Sequence, residues 1–159
     1  MVKGKKKIIM YLENWATLPE YYLASIGDQI VMPELGTISH LGLEIEVMKT
    51  KTFLNNFGSS PTVISSGQFK AGLDPNSERL TSAQRIMLEE TVNNLYQQVL
   101  FDIKASRHMN WKDMNDLFTG RLISAREALA KGLIDKLGYW DEVKESLKDD
   151  KGQEGKIAG

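Results

Sequence analysis

Lys7-Ile-Ile-Met-Tyr-Leu-Glu-Asn-Trp-Ala-Thr-Leu-Pro-Glu-Tyr-Tyr-Leu-Ala-Ser-Ile-Gly-Asp-Gln-Ile-Val-Met-Pro33 is the stretch that decides the fold class. Lys7 to Leu12 is apolar at consecutive positions, which predicts a strand covered on both faces, as in a parallel sheet. Pro19 suits the first turn of a helix running through Tyr21 and Tyr22 to Ser25 and ending near Gly27. Gln29 to Met32 reads as a second buried strand, stopped by Pro33. Strand, helix and strand in close succession predict an α/β fold with a mainly parallel sheet.

The alternation continues downstream. Residues 34–42 form a Gly-containing loop. Lys49 to Phe57 reads as a helix with Gly58 as its stop. Thr62 to Ser65 reads as a third strand, and Gly67 to Arg79, with Gly72, Asp74, Pro75 and Asn76, as a loop. Thr81-Ser-Ala-Gln84 is a capping box that opens the longest helix, to about Arg107. Leu88, Val92, Leu95, Tyr96, Val99 and Ile103 recur at helical spacing and predict its buried stripe. Asn110 can cap a helix through Phe118, and Ser124-Ala-Arg-Glu127 is a second capping box whose helix stops at Gly132. Leu133 to Leu137 reads as an apolar connection before a last helix from Trp140. Residues 1–148 are expected to form one domain, and the polar residues 149–159 a disordered tail.

Composition narrows the function classes. The chain has 159 residues, enough for one domain with a hydrophobic core. A net charge of -1 gives no electrostatic case for nucleic acid. With no cysteine, disulfides, thiolate metal sites and a cysteine nucleophile are excluded. His40 and His108 lie in no ligand-type spacing, so no metal is expected. No apolar run approaches the roughly 18–20 residues that span a bilayer. The four lysines within Met1 to Lys7 read as a basic lead-in to the first strand.

Four segments in order carry a family resemblance. They are Tyr21-Tyr-Leu-Ala-Ser-Ile-Gly-Asp-Gln-Ile-Val31, the loop Pro33 to Gly42 with Gly36-Thr37, Ser66-Gly-Gln-Phe-Lys70, and Gly120-Arg121 through Gly132-Leu-Ile-Asp-Lys-Leu-Gly138. Together, over roughly Lys7 to Val143, the chain resembles the signal peptide peptidase A (protease IV) family of serine peptidases. The resemblance implies a Clp protease/crotonase-like fold, present here in part, because the family's upstream strands and oxyanion-hole glycines have no counterpart. It implies a Ser/Lys dyad without cofactor or metal, acting on extended hydrophobic peptides such as signal peptides. It also implies homo-oligomers with sites at subunit boundaries. The family is typically associated with the bacterial inner membrane, which here would involve segments outside this stretch.

The family lysine falls on Lys70, the expected general base. The family serine precedes Gly-Gly-Tyr-Tyr, and counting back from Tyr21-Tyr22 puts Leu18 there, followed by Pro19 and Glu20. That combination is closest to the serine-lacking amino-terminal half of the two-domain members. The implied function is a signal peptide peptidase, or a lysine-bearing half-site whose serine comes from another domain or chain. The alternative is a non-catalytic assembly subunit, and a more distant one is an acyl-CoA enzyme of the crotonase type. A lysine base must have its ammonium disfavoured by about 4 kcal/mol, and Val63, Ile64 and Phe69 are the expected source of that desolvation. Ser65, Ser66, Ser25 and Thr17 are weighed as substitute nucleophiles and set aside as turn, helix or non-terminal residues. His40 reads as a loop hydrogen-bonding residue, Asp135 as a turn anchor, and Trp15, Tyr21 and Tyr22 as packing residues.

Overall fold

A computed structural model of the chain describes residues 7–77 and 79–154. In chain order the elements are β1 (Ile9–Tyr11), β2 (Trp15–Ala16), α1 (Leu18–Ala24), β3 (Gln29–Met32), β4 (Thr37–Ile38) and α2 (Lys51–Asn56). A 3-10 helix (Lys70–Leu73) follows, then α3 (Ser82–Arg107), α4 (Trp111–Leu117), β5 (Ile123–Ser124), α5 (Ala125–Ala130), β6 (Lys136–Leu137) and α6 (Trp140–Glu154). Residues 149–154 of the expected tail are thus helical, and 155–159 lie outside the described residues.

The residues group into two compact units, where the sequence suggests one domain. The first comprises 1–42 and 98–159, the second Leu43–Gln97. All strands belong to the first unit. One sheet has the order β1-β3-β6 and is parallel throughout, with Ile9 opposite Gln29 and Val31 opposite Lys136. β3 is central, and Ile30, Val31 and Met32 are buried, which explains its unbroken apolar run. A second, smaller sheet pairs β2 with β4 in parallel and β4 with β5 antiparallel. The α/β architecture with a mainly parallel sheet is the one expected.

The third sheet strand is not where the sequence puts it. Thr62–Ser65 pairs with no described strand, and Ile64 is 95% exposed. The strand beside β3, opposite β1, is β6, part of the stretch read as a connection. Asp135 N–H donates to the Ile30 carbonyl at 2.9 Å, and Gly138 N–H to that of Met32 at 3.0 Å. An apolar run becomes a strand only when a neighbouring edge supplies its ladder, and two residues are too few to show a period. Short β2, β4 and β5 escape sequence reading for the same reason.

The core of the first unit packs α1, α4, α5 and the end of α3 with the sheets, burying Tyr21, Ile103, Met114, Leu117, Ile123 and Leu133. Each such side chain contributes roughly 1.5–3 kcal/mol by leaving water. The caps form as their residues suggest. Asp113 N–H donates to Asn110 Oδ1 at 2.9 Å, starting α4. Glu127 N–H donates to Ser124 Oγ at 3.3 Å, but the Glu127 carboxylate pairs with Arg121 instead of closing the box. Gly132 ends α5 at φ +76, a left-handed conformation that favours glycine. At the head of α3 the Thr81–Gln84 box closes both ways, at 3.1 and 3.2 Å. The expected stripe along α3 is only partly covered: Ile103 is buried, Leu88, Val92, Tyr96 and Val99 are half-buried, and Leu95 is exposed.

Candidate functional site

Leu18, where the resemblance places a nucleophile, occupies the first turn of α1 and is buried in the first unit. Its neighbours explain the local fold. Pro19 is pre-set for the helical start. Thr17 N–H donates to Glu20 Oε2 at 2.9 Å, and the Thr17 hydroxyl bonds the same carboxylate. That hydroxyl bond holds the Glu20 carboxyl below its usual range. Thr17-Leu-Pro-Glu20 is thus a helix cap, a Thr-x-x-Glu signal that could have been read from sequence. The Thr17 oxygen is committed to that cap and the Leu18 side chain carries no reactive atom.

The other candidate nucleophilic hydroxyls are those of Ser25, Ser65 and Ser66. Ser25 is buried, with Oγ donating to the Tyr22 carbonyl at 2.8 Å. Ser65 and Ser66 lie exposed in the second unit. Ser39, not weighed from sequence, is fully buried, and its Oγ lies 2.8 Å from His40 Nδ1. His40 itself takes a left-handed φ of 51° and faces the Trp15 ring at 6.3 Å, in keeping with a loop hydrogen-bonding role.

Tyr21 and Tyr22 divide. The Tyr21 ring is in the core and its hydroxyl donates to the Leu133 carbonyl at 2.9 Å; burial pushes its phenol far above the usual value. Tyr22 is exposed and donates to Asp102 Oδ2 at 2.7 Å, which raises its phenol as well. Asp135 anchors the turn that Tyr21 reaches. It accepts from Ile30 N–H at 2.7 Å and from Arg107 at 2.6 and 3.1 Å, while Arg107 also donates to the Gly132 carbonyl. Burial raises the Asp135 carboxyl, but the Arg107 and Ile30 hydrogen bonds outweigh it and leave the group below its usual range.

Lys70 lies in the second unit and opens the 3-10 helix. Its N–H donates to the Gly67 carbonyl at 3.2 Å, and its side chain is exposed. Val63 is half-buried, Ile64 is 95% exposed and Phe69 is 39% exposed, so these three residues do not assemble the expected apolar cover. Behind the turn is a cleft of about 260 Å³ lined by Thr62, Val63, Ala71, Ser77, Thr81 and Gln84 among others. The turn itself is tied down by Lys49 and by Gln84 of the α3 capping box, contacts that the sequence did not announce. Lys49 Nζ donates to the carbonyls of Gly72 (2.9 Å) and Asp74 (2.8 Å) and to Ser77 Oγ (2.6 Å). Gln84 Nε2 donates to the Gln68 carbonyl at 3.2 Å. No local pattern announces a lysine that reaches carbonyls more than twenty residues away. Among the described residues no cluster of three or more acidic or histidine side chains is arranged to hold a metal, and no helix is long and apolar enough to cross a membrane.

A family model of S49 peptidases matches residues 1–154. The chain belongs to peptidase family S49. This is the serine peptidase family of signal peptide peptidase A and protease 4, as the ordered segments indicated. A candidate signal peptide peptidase SppA of Enterococcus faecium is 25% identical over 154 residues, 95% of this chain and 44% of that protein. The chloroplastic serine protease SPPA of Arabidopsis thaliana is 26% identical over 135 residues, 84% of this chain and 20% of that protein. Among solved structures, a mutant of the 1510-N membrane-bound stomatin-specific protease aligns with 89% of this chain and 55% of its own, at 14% identity and a TM-score of 0.46. The S49 chain spans about half the length of the first curated relatives it matches, 44%, 46% and 50%.

Proposed function

We propose that this chain is the lysine-bearing part of an S49 peptidase, with Lys70 as general base and a serine supplied by another domain or chain. The observation that carries the proposal is Leu18, an aliphatic side chain buried in a capped helical turn, where the resemblance to the family expects the nucleophile. In the reaction, the Lys70 amine takes the proton of the incoming serine hydroxyl. The serine oxygen attacks the peptide carbonyl, and the proton passes to the leaving amine. Water then cleaves the acyl-enzyme by the same route. The substrate is an extended hydrophobic peptide, such as a cleaved signal peptide, and the open exposure of Lys70 leaves room for a partner to cover it.

The test is reconstitution. The full chain is mixed with the serine-bearing half of a two-domain S49 member, and hydrolysis of a hydrophobic peptide is followed. Activity that requires both parts and disappears with Lys70→Ala supports the proposal. A rebuilt peptidase that stays fully active with Lys70→Ala rejects it.

One observation favours a second reading, an assembly subunit that keeps the fold without catalysis: Lys70 and Ile64 are both exposed. That reading predicts association with the partner half but no labelling of the partner's serine by an acylating probe.

A further inference from the structure

The geometry points to Lys49 as the positioning residue for Lys70, an inference that rests on the half-site reading above. All three N–H groups of the Lys49 ammonium are spent on acceptors around one turn: the carbonyls of Gly72 and Asp74 and the hydroxyl of Ser77, at 2.9, 2.8 and 2.6 Å. Ser77 passes its own proton on within the same turn, with Oγ 2.7 Å from the Ala71 carbonyl and 2.9 Å from that of Asp74. On the other side of Lys70, Gln84 holds the Gln68 carbonyl. The backbone is therefore fixed on both sides of Lys70 while the Lys70 side chain is left in the open.

Two physical points make this more than a surface contact. Lys49 is half-buried, and a half-buried ammonium is tolerated because each of its protons meets an oxygen. The carbonyls it binds are those at the end of a short helical turn, where the backbone's partial charge is negative and a cation is favoured. There is also no apolar substitute: among the described residues, the second unit contributes nothing to the buried apolar core, so this turn depends on polar contacts for its shape. A proton-transferring side chain must be held to within about 0.5 Å of its working position, which begins with a fixed backbone. Lys49 fixes the backbone turn from which Lys70 projects, without touching substrate.

Lys49→Met removes the three hydrogen bonds and keeps an apolar stem that ends about where the Lys49 Cε lies. Lys49→Cys followed by alkylation with 2-bromoethylamine restores an ammonium at nearly the native length. The chain has no other cysteine, so alkylation before mixing with the partner half is confined to this position. In the full chain alone, Lys49→Met is expected to speed amide exchange at Gly72 and Asp74 about tenfold or more, with first-unit amides unchanged. These two amides donate to Phe69 and Ala71 in the turn. In the reconstituted peptidase, the same variant is expected to lower kcat about tenfold or more with KM within about twofold, and the aminoethylated cysteine to recover most of it.

Unchanged exchange at Gly72 and Asp74 overturns the inference, because Lys49 then does not hold the turn. Faster exchange with an unaltered kcat also overturns it, showing a structural clamp only, while loss of activity in Lys70→Ala leaves the half-site reading standing. Full activity of Lys70→Ala overturns both together. A reconstituted mixture with no activity that is also inert to an acylating probe rejects the half-site reading and with it the positioning role.

Discussion

Tyr21, Ile30, Met32, Ile38, Ile103, Met114, Leu117 and Ile123, all fully buried, belong to the first unit, whereas the described residues buried in the second are Gly72, Ser77 and Gln84. The first unit is assembled by removing apolar surface from water, a force that does not depend on direction. The second is shaped by directed bonds from Lys49, Ser77 and Gln84, and it leaves Met48, Phe53, Phe57, Ile64 and Leu73 exposed. A burial-driven core spreads its stabilisation over many side chains. A turn held by polar clamps is lost when a single partner is removed. The two positions singled out by the family resemblance fall on opposite sides of this contrast: Leu18 in the cored unit, Lys70 in the clamped one.

The largest test of the contrast is in the core. Leu117→Ala removes a fully buried side chain of α4, and should cost about 3 kcal/mol in denaturant unfolding. A loss under about 1 kcal/mol would mean that the site collapses freely and that the first unit is not close-packed.

Next comes the polar knot of the same unit. Asp135→Ala leaves Arg107, whose side chain is only 8% exposed, with one acceptor fewer. Because Asp135 itself is 36% exposed, solvent screening trims the cost to about 2 kcal/mol. The pH dependence has a fixed sign. Asp135 is held below its unfolded value, so its contribution is complete above the usual carboxylate range near pH 4 and is lost as pH falls through the folded value. Asp135→Asn should therefore flatten the acid limb of the stability curve relative to the wild type. An acid limb of undiminished steepness would assign that limb to other carboxylates.

The smallest effect is expected in the second unit. Ile64→Ala removes a side chain that is 95% exposed, and should change stability by no more than about 0.5 kcal/mol. A larger loss in the isolated chain would show that Ile64 has apolar cover after all, and would sharpen the case for a desolvated Lys70.

Much of the fold was legible because the signals are local. Asn110, Ser124 and the Thr81–Gln84 pair each sit within one turn of the backbone donor they satisfy, so their residue types announce the helix starts. β3 was legible because a strand covered on both faces must be apolar without alternation. The candidate site was legible only as residue identities in a family frame: Lys70 present, serine absent at Leu18. Nothing local distinguishes Val63-Ile64, which pairs with no described strand, from Lys136-Leu137, which does pair.

By itself the sequence determined the α/β class, the central strand, the helix caps and the S49 membership, all of which depend on residue type and order. Only the tertiary structure decided that β6 completes the parallel sheet, that the chain forms two units, that Lys70 stands exposed, and that Lys49 ties down the turn beside it. Those outcomes depend on which distant backbone edges and carbonyls come within hydrogen-bonding reach, and reach across twenty or a hundred residues is set by packing, not by spacing.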